Sequence, residues 1–230
     1  MSFFKDLNER NRNNWLKQTL NDIPKGKRIL DAGAGELKNK KYCSHLDYVS
    51  QDFAQYKGEG DGSGLQSSNW DTSKIDIVSD ITNIPEPDNS FDVILCSEVF
   101  EHIPNPINAI KEFSRLIKFD GKLIITAPFA SISHMAPYYF YSGFSKYWYE
   151  YHLKANGFKI LALNPNGDWF ALIKQEISRL GGLERQMKNW TWPFAYILGI
   201  LGAAYISVRP NKKAEDLACF GWHCTAKKLK

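Results

Sequence analysis

The sequence predicts an α/β fold: a seven-stranded, mostly parallel sheet with helices on both faces and a helical insertion near the C-terminus. Two observations carry this expectation. Seven short apolar runs alternate with helical stretches on short connections, and the strongest runs are bounded by Gly, Pro, Asn or Asp. Alternating strands and helices form βαβ units, and these give a parallel sheet with right-handed crossovers. At 230 residues, one domain with an elaboration is expected over the whole of 1–230.

Residues 1–26 read as a lead-in helix carrying Phe4, Leu7, Trp15, Leu16 and Leu20, ended by Pro24 and Gly26. A core region over 27–163 follows. Its first strand is Lys27 to Leu30, and the polar run from Glu36 to His45 leaves room for only a short helix. Leu46 to Ser50 is the second strand, with Gln51 and Asp52 at its carboxyl end. Residues 57–74 hold Gly58, Gly60, Gly62, Gly64 and several serines, which predicts an exposed loop. Ile75 to Val78 and Phe91 to Cys96 are the third and fourth strands. Pro104 and Pro106 open a helix with the stripe Ile107, Ile110, Phe113, Leu116 and Ile117, which Gly121 ends. Lys122 to Thr126 is the fifth strand. Beyond Pro128 come an aromatic helix at Phe144 to Ala155, a strand at Phe158 to Leu163, an apolar helical insertion over 164–216, and a last strand at Ala218 to Ala226. That strand lies within a closing segment, 217–230, that ends in a basic tail.

Composition narrows the function. A hydrophobic fraction of 43% and a charged fraction of 23% are those of a globular chain rather than a disordered one. The net charge of +4 is mild, and the basic residues cluster only at Lys212-Lys213 and at the C-terminus, so no nucleic-acid partner is expected. The N-terminus has no signal-peptide pattern, and four scattered cysteines suit a reducing cytoplasm. The tightest metal-like group, Cys219, His223 and Cys224, falls in the terminal strand with its members on opposite faces. No metal is expected there or elsewhere.

The first strand runs into the turn Asp31-Ala32-Gly33-Ala34-Gly35. Glycines after a strand let the backbone approach a ligand. The dinucleotide fingerprint needs a third Gly or Ala where Lys38 stands, and Asp31 would repel a pyrophosphate. Asp31 suits instead the ammonium or sulfonium end of S-adenosylmethionine. Asp52 is placed to accept from ribose hydroxyls. Asp80 follows the third strand, where it could accept from an adenine amino group beside the apolar Ile81. Taken singly, either aspartate is as readily a turn or cap residue.

With these residues in place, the chain resembles the class I S-adenosylmethionine-dependent methyltransferases of the type-11 group. The likeness rests on Ile29 to Gly35, Asp80 to Pro85, Ser90 to Ile94, Glu98 to Ile103 and Arg115 to Lys118, in order and spacing, and covers residues 27–163. It implies a Rossmann-like fold with S-adenosyl-L-methionine as cofactor. Gly33 and Gly35 would pack against the methionine part, Asp52 would hold the ribose, and Asp80 and Ile81 would hold the adenine. Ser97 and Glu98 would lie near the methyl group. The chain departs from the group at Phe119-Asp120-Gly121, where Pro-Gly-Gly is usual, and at Leu37, where a third glycine is usual. The Asn-Pro-Pro-Tyr motif of base-directed enzymes is missing after Leu95, where Cys96-Ser97-Glu98-Val99 stands.

On the acceptor side, His134 follows the fifth strand at the carboxyl edge, where open α/β sheets place ligands. It is either a general base or a group that orients the loop or the substrate. His102, a helical turn after Glu98, reads as a capping residue. The run from Met135 to Tyr151 is dense in Tyr, Phe and Trp, part core and part candidate wall for sugars or rings. The segment from His134 to Gly157 is similar, within the methyltransferases, to members of surface-glycan or lipid-linked saccharide pathways, which makes the expected acceptor a small molecule or lipid-linked saccharide, with a sugar hydroxyl as nucleophile.

Trp192 to Val208 is almost wholly apolar and approaches spanning length. Pro193, Gly199 and Gly202 weaken it as a spanning helix, and a true span would sever the last strand from its sheet. Contact with the inner face of the membrane, burial in the domain core and burial in a homodimer all stay open. Two other readings remain beside methyl transfer: a non-catalytic subunit or membrane adaptor on the same fold, and a nicotinamide-dependent oxidoreductase.

Overall fold

The computed structural model describes residues 7–208 and 214–230. Phe4 of the lead-in helix and the pair Lys212-Lys213 lie outside them. The chain divides into two compact units, one of Trp15–Asn164 with Gly221–Lys230 and one of Met1–Asn14 with Pro165–Phe220.

Seven strands are present: β1 Arg28–Ala32, β2 Asp47–Asp52, β3 Ile77–Val78, β4 Phe91–Ser97, β5 Ile117–Pro128, β6 Phe158–Asn166 and β7 Gly221–Lys228. They form one sheet in the order β3-β2-β1-β4-β5-β7-β6. Strands β1 to β5 pair in parallel, with Leu30 opposite Val49 on one side and Ile94 on the other. β7 runs antiparallel to β5, with Thr126 opposite His223. The expected α/β class, with a mostly parallel sheet flanked by helices, is therefore the architecture found.

The core follows from strand alternation. Leu16, Leu20 and Ile23, at the end of helix α1 (Leu7–Asn21), bury themselves with Ile29, Val93, Leu95 and Ile124. Val93 and Leu95 of β4 point into this cluster, so Ile94 and Cys96, equally buried, point to the other face. Helix α2 (Pro106–Leu116) starts at Asn105, whose side chain accepts from the Asn108 N–H at 3.2 Å, and buries Ala109, Ile110, Phe113 and Leu116.

Its last turn explains the motif Arg115-Leu116. The Arg115 guanidinium donates to the carbonyls of Ile84 and Glu86 at 3.0 and 2.8 Å, and to Asp88 at 2.8 Å and Glu112 at 2.7 Å. Glu112 in turn accepts from the Ile84 N–H at 2.8 Å. This latch fixes the helix-free connection from β3 to β4. Arg115→Ala is expected to cost about 2 kcal/mol, because it strands the buried Glu112 charge and two carbonyls while partial exposure lets water compensate. Chemical denaturation checks it.

Three sequence expectations change. Helix α2 ends at Leu116 rather than near Gly121, because Ile117 pairs with Phe91 and opens β5. The register then shifts between Phe91 and Val93, and Asp120 takes a φ of 64°. The third strand shortens to Ile77–Val78, since the Asp76 carboxylate turns back to the Ser50 hydroxyl and N–H at 2.6 and 2.9 Å. The glycine-rich loop is not simply exposed: Leu65 forms a parallel bridge with His134, and the Leu65 N–H donates to the Ser133 carbonyl at 3.0 Å.

After the aromatic helix α3 (Lys146–Ala155), capped by Ser145, the insertion forms two helices, α4 (Trp169–Gln186) and α5 (Trp192–Ser207). They pair through small residues. The Tyr196 ring sits on Gly181, and Gly199 abuts the Ile177 carbonyl. Phe194, Ile197, Leu198, Leu201 and Tyr205 remain exposed, while Ala195 and Ala203 are buried. No described helix is long and apolar enough to cross a membrane.

Candidate functional site

Because β1 to β5 are parallel, the ends of all five face one edge of the sheet. That edge collects Asp31 to Gly35, Asp52, Asp80, Ser97 and Glu98, and the segment after Pro128. The strand order reverses at β1 and β4, and such a switch point opens the crevice in which α/β sheets bind ligands.

The glycine turn is tied down at this edge. The Gly33 and Ala34 N–H groups donate to the Gln51 carbonyl at 2.8 and 2.9 Å. Gly33 and Gly35 have φ of 73° and 51°. A Cβ on Gly33 would meet the Val99 side chain at 2.5 Å, and one on Gly35 the Trp70 ring at 2.7 Å. The turn therefore needs glycine both for its backbone and for its neighbours.

Asp31 is 1% exposed and accepts from the Tyr48 hydroxyl at 2.7 Å. Burial pushes its pKa up to about 6, against the opposing pull of that hydrogen bond. A buried carboxylate of this kind gains most from a cation arriving beside it. Asp52 is buried as well, accepting from the Gly35 N–H at 2.9 Å and the Ala54 N–H at 2.8 Å. Asp80 is exposed, and its Oδ1 closes a turn by accepting from the Thr82 N–H and hydroxyl, both at 2.8 Å. Ile81 beside it is buried.

Ser97 shares a hydrogen bond of 2.8 Å with the Thr126 hydroxyl. The Glu98 N–H donates to the Thr126 carbonyl at 2.8 Å, and Glu98 takes a φ of 55°. A non-glycine residue held in the left-handed region at the end of a central strand is stored strain of the kind that marks ligand sites.

His134 lies with a different group. Its ring is 4.7 Å from that of His102, edge to face, and 5.1 Å from that of Tyr139. Nδ1 of His134 is 2.9 Å from the Ile132 carbonyl, and Nδ1 of His102 is 2.6 Å from the Tyr138 carbonyl. His102 thus reaches across to another segment instead of capping its own turn. Burial lowers its pKa to about 4.

Sequence reasoning missed three parts of this edge. Phe53, Tyr56, Trp70 and Tyr138 form a chain of edge-to-face rings 4.9 to 6.5 Å apart. Gln51 ties the Gly33 N–H at 3.3 Å to the Ser79 carbonyl at 2.7 Å. Glu101 and His102 join His134. A lone Trp in a Gly/Ser loop and an adjacent Glu-His pair were the available signals. A cavity of about 290 Å³ lies at the opposite edge, near Asp22, Lys27, Asp92 and Lys118. Its Asp92 is already paired with Lys27 and Lys118 at 3.1 and 3.0 Å, so its charges are matched from within.

Fold and edge together define a class I methyltransferase domain. The chain belongs to the family described as a methyltransferase domain, which it matches over residues 4–196. It is 28% identical over 122 residues to a ubiquinone biosynthesis O-methyltransferase of Actinobacillus pleuropneumoniae, covering 50% of this chain and 51% of that one. The chain spans about half or less of the length of the curated relatives it matches. Among solved structures, the [4+2]-cyclase SpnF superposes with a TM-score of 0.59 at 19% identity, covering 95% of this chain and 80% of that one. Phosphoethanolamine N-methyltransferase 2 of Haemonchus contortus, in complex with S-adenosyl-L-methionine, gives 0.54 at 16% identity, covering 95% and 52%. At these identities the structural likeness establishes the fold alone.

Proposed function

We propose that this chain transfers a methyl group from S-adenosyl-L-methionine to an oxygen of a small or lipid-linked acceptor, with a sugar hydroxyl as the leading choice. The observation that carries the reading is the buried Asp31 beside the glycine turn, on the edge that also holds Asp52. A carboxylate that burial leaves half-protonated near pH 6 fits a ligand with a cationic end and opposes a pyrophosphate. Asp31 would face the methionine ammonium, Gly33 and Gly35 would carry the backbone past it, Asp52 would take the ribose hydroxyls, and Asp80 with Ile81 would meet the adenine. Phe53, next to Asp52, supplies an aromatic face. Ser97 and Glu98 would flank the reacting centre.

When bound, the cofactor supplies an activated methyl group on a good leaving group, so alignment and exclusion of water carry much of the acceleration. His134 is the acceptor-side residue. Its bonded Nδ1 carries the proton, since a carbonyl can only accept, and this leaves the Nε2 lone pair for an acceptor group. The Actinobacillus relative is an O-methyltransferase, which favours oxygen as the nucleophile. Exposed Trp190, Leu198 and Leu201 support contact with a membrane surface, which suits a lipid-linked acceptor.

Calorimetry with S-adenosylhomocysteine and NAD, followed by labelled-methyl transfer into a cell extract, tests the reading. Binding of the first with methyl incorporation is expected; binding of NAD instead would overturn it. Binding without incorporation would support the non-catalytic reading. Asp52→Ala should weaken S-adenosylhomocysteine by about 1–3 kcal/mol through the lost ribose bonds, and an unchanged affinity would remove Asp52 from the site.

A further inference from the structure

We propose that Glu101, His102 and His134 form a three-ligand site for a divalent first-row transition-metal ion on the acceptor side. The ion's use in catalysis rests on the methyltransferase reading; its binding does not. One donor atom from each of these residues lies within 4.8 Å of the other two. Glu101 is 1% exposed, and its Oε1 is 3.7 Å from Nε2 of His102.

The tautomers point the same way. Both Nδ1 atoms face backbone carbonyls, at 2.6 Å for His102 and 2.9 Å for His134. Carbonyl oxygens only accept, so each Nδ1 carries a proton and each neutral ring keeps its lone pair on Nε2. Anchoring the far nitrogen to a carbonyl is how proteins orient metal-binding imidazoles. The backbone frame is shared too: the Phe140 N–H donates to the Glu101 carbonyl at 2.8 Å, joining the His134 loop to the turn that carries Glu101 and His102.

Two imidazoles and one carboxylate suit zinc, cobalt or iron better than magnesium or calcium, which prefer all-oxygen shells. Three protein ligands leave room for water or an acceptor oxygen, the pattern of catalytic rather than structural sites. A four-coordinate ion with bonds of about 2.1 Å sets donors roughly 3.4 Å apart, so the triad closes by side-chain rotation. An ion there would take the His134 Nε2 lone pair in place of the acceptor group and would polarise the acceptor hydroxyl itself. The group has no compact sequence signature, because His134 stands 32 residues from His102.

The test is a Co²⁺ titration of the full chain after chelator treatment, read by visible absorption, with S-adenosylhomocysteine binding measured in parallel. Expected are d–d bands saturating at one equivalent, displaced by Zn²⁺ and not by Mg²⁺. His134→Ala should lower Co²⁺ affinity at least tenfold and leave S-adenosylhomocysteine affinity within twofold. Glu101→Gln should do the same to Co²⁺; since Glu101 is buried and could be needed for folding, the loop variant is the deciding one. No saturable bands, an unchanged affinity in His134→Ala, or a thiolate charge-transfer band placing the ion on cysteine would overturn the site. Co²⁺ binding without S-adenosylhomocysteine binding would uphold the site and refute the cofactor reading alone.

Discussion

Asp31→Asn is expected to make the unliganded protein more stable at pH 8 while weakening S-adenosylhomocysteine at least tenfold. The two effects share one cause. Burial raises the Asp31 pKa from 3.8 to about 6, so the ionised carboxylate is less favourable in the folded chain than in the unfolded one, by up to about 3 kcal/mol. Asparagine keeps an oxygen for the Tyr48 hydroxyl and removes the charge. The ligand loses a charge-assisted contact in the same step, about 1.5–3 kcal/mol. Thermal unfolding and calorimetry on the same samples check both halves. A variant that binds normally would remove Asp31 from the cofactor site, and one less stable than the parent would contradict the burial argument.

The sign with pH follows. For a carboxylate with a raised folded-state pKa, the stability it allows is fully present below about pH 4 and is lost as pH rises towards about 6. Cofactor affinity runs the other way, because the cationic end needs the ionised form. S-adenosylhomocysteine binding should therefore strengthen from pH 5 to about 7 and then level, and Asp31→Asn should flatten the profile. A parent profile that is already flat over that range would sink the assignment.

The sheet was legible in the sequence because its central strands carry apolar runs, Ile29-Leu30, Val93 to Leu95 and Leu123 to Ile125, with turn residues before or after them. The edge residues followed, since parallel strands put all their carboxyl ends together. Ile117 misled because it continues the 3.6-residue stripe from Phe113, and only its pairing with Phe91 shows it to be a strand residue. The docking of Leu65 on His134 is made by backbone groups, which leave no side-chain pattern. His134 was found from its place after β5, yet its partners Glu101 and His102 were not, because the fold alone brings those segments together. The rings around Tyr138 were hidden for the same reason: Tyr56, Trp70 and Tyr138 lie in three separate stretches of irregular chain.

Leu198→Glu with Leu201→Glu is expected to lower binding to anionic lipid vesicles at least a hundredfold without reducing thermal stability. α5 is apolar all round, yet it packs on α4 through Tyr196 and its small residues, with Ala195, Gly199 and Ala203 buried. The outward side chains are large: Phe194, Leu198 and Leu201 are each about 60% exposed. Trp190 and Trp192 flank one end of this aliphatic stretch and Tyr205 lies near the other, and such rings favour the boundary between lipid and water. Its 16 residues reach about 24 Å, short of the roughly 30 Å hydrocarbon core. Moving each leucine out of lipid forfeits about 1.5–3 kcal/mol, so the pair accounts for the hundredfold change. Stability is spared because neither side chain packs in the fold. Vesicle sedimentation decides the matter together with analytical ultracentrifugation. A parent protein that ignores vesicles but forms a dimer, which the double variant dissociates, would assign the same face to a second copy of the chain and remove the support for a lipid-linked acceptor.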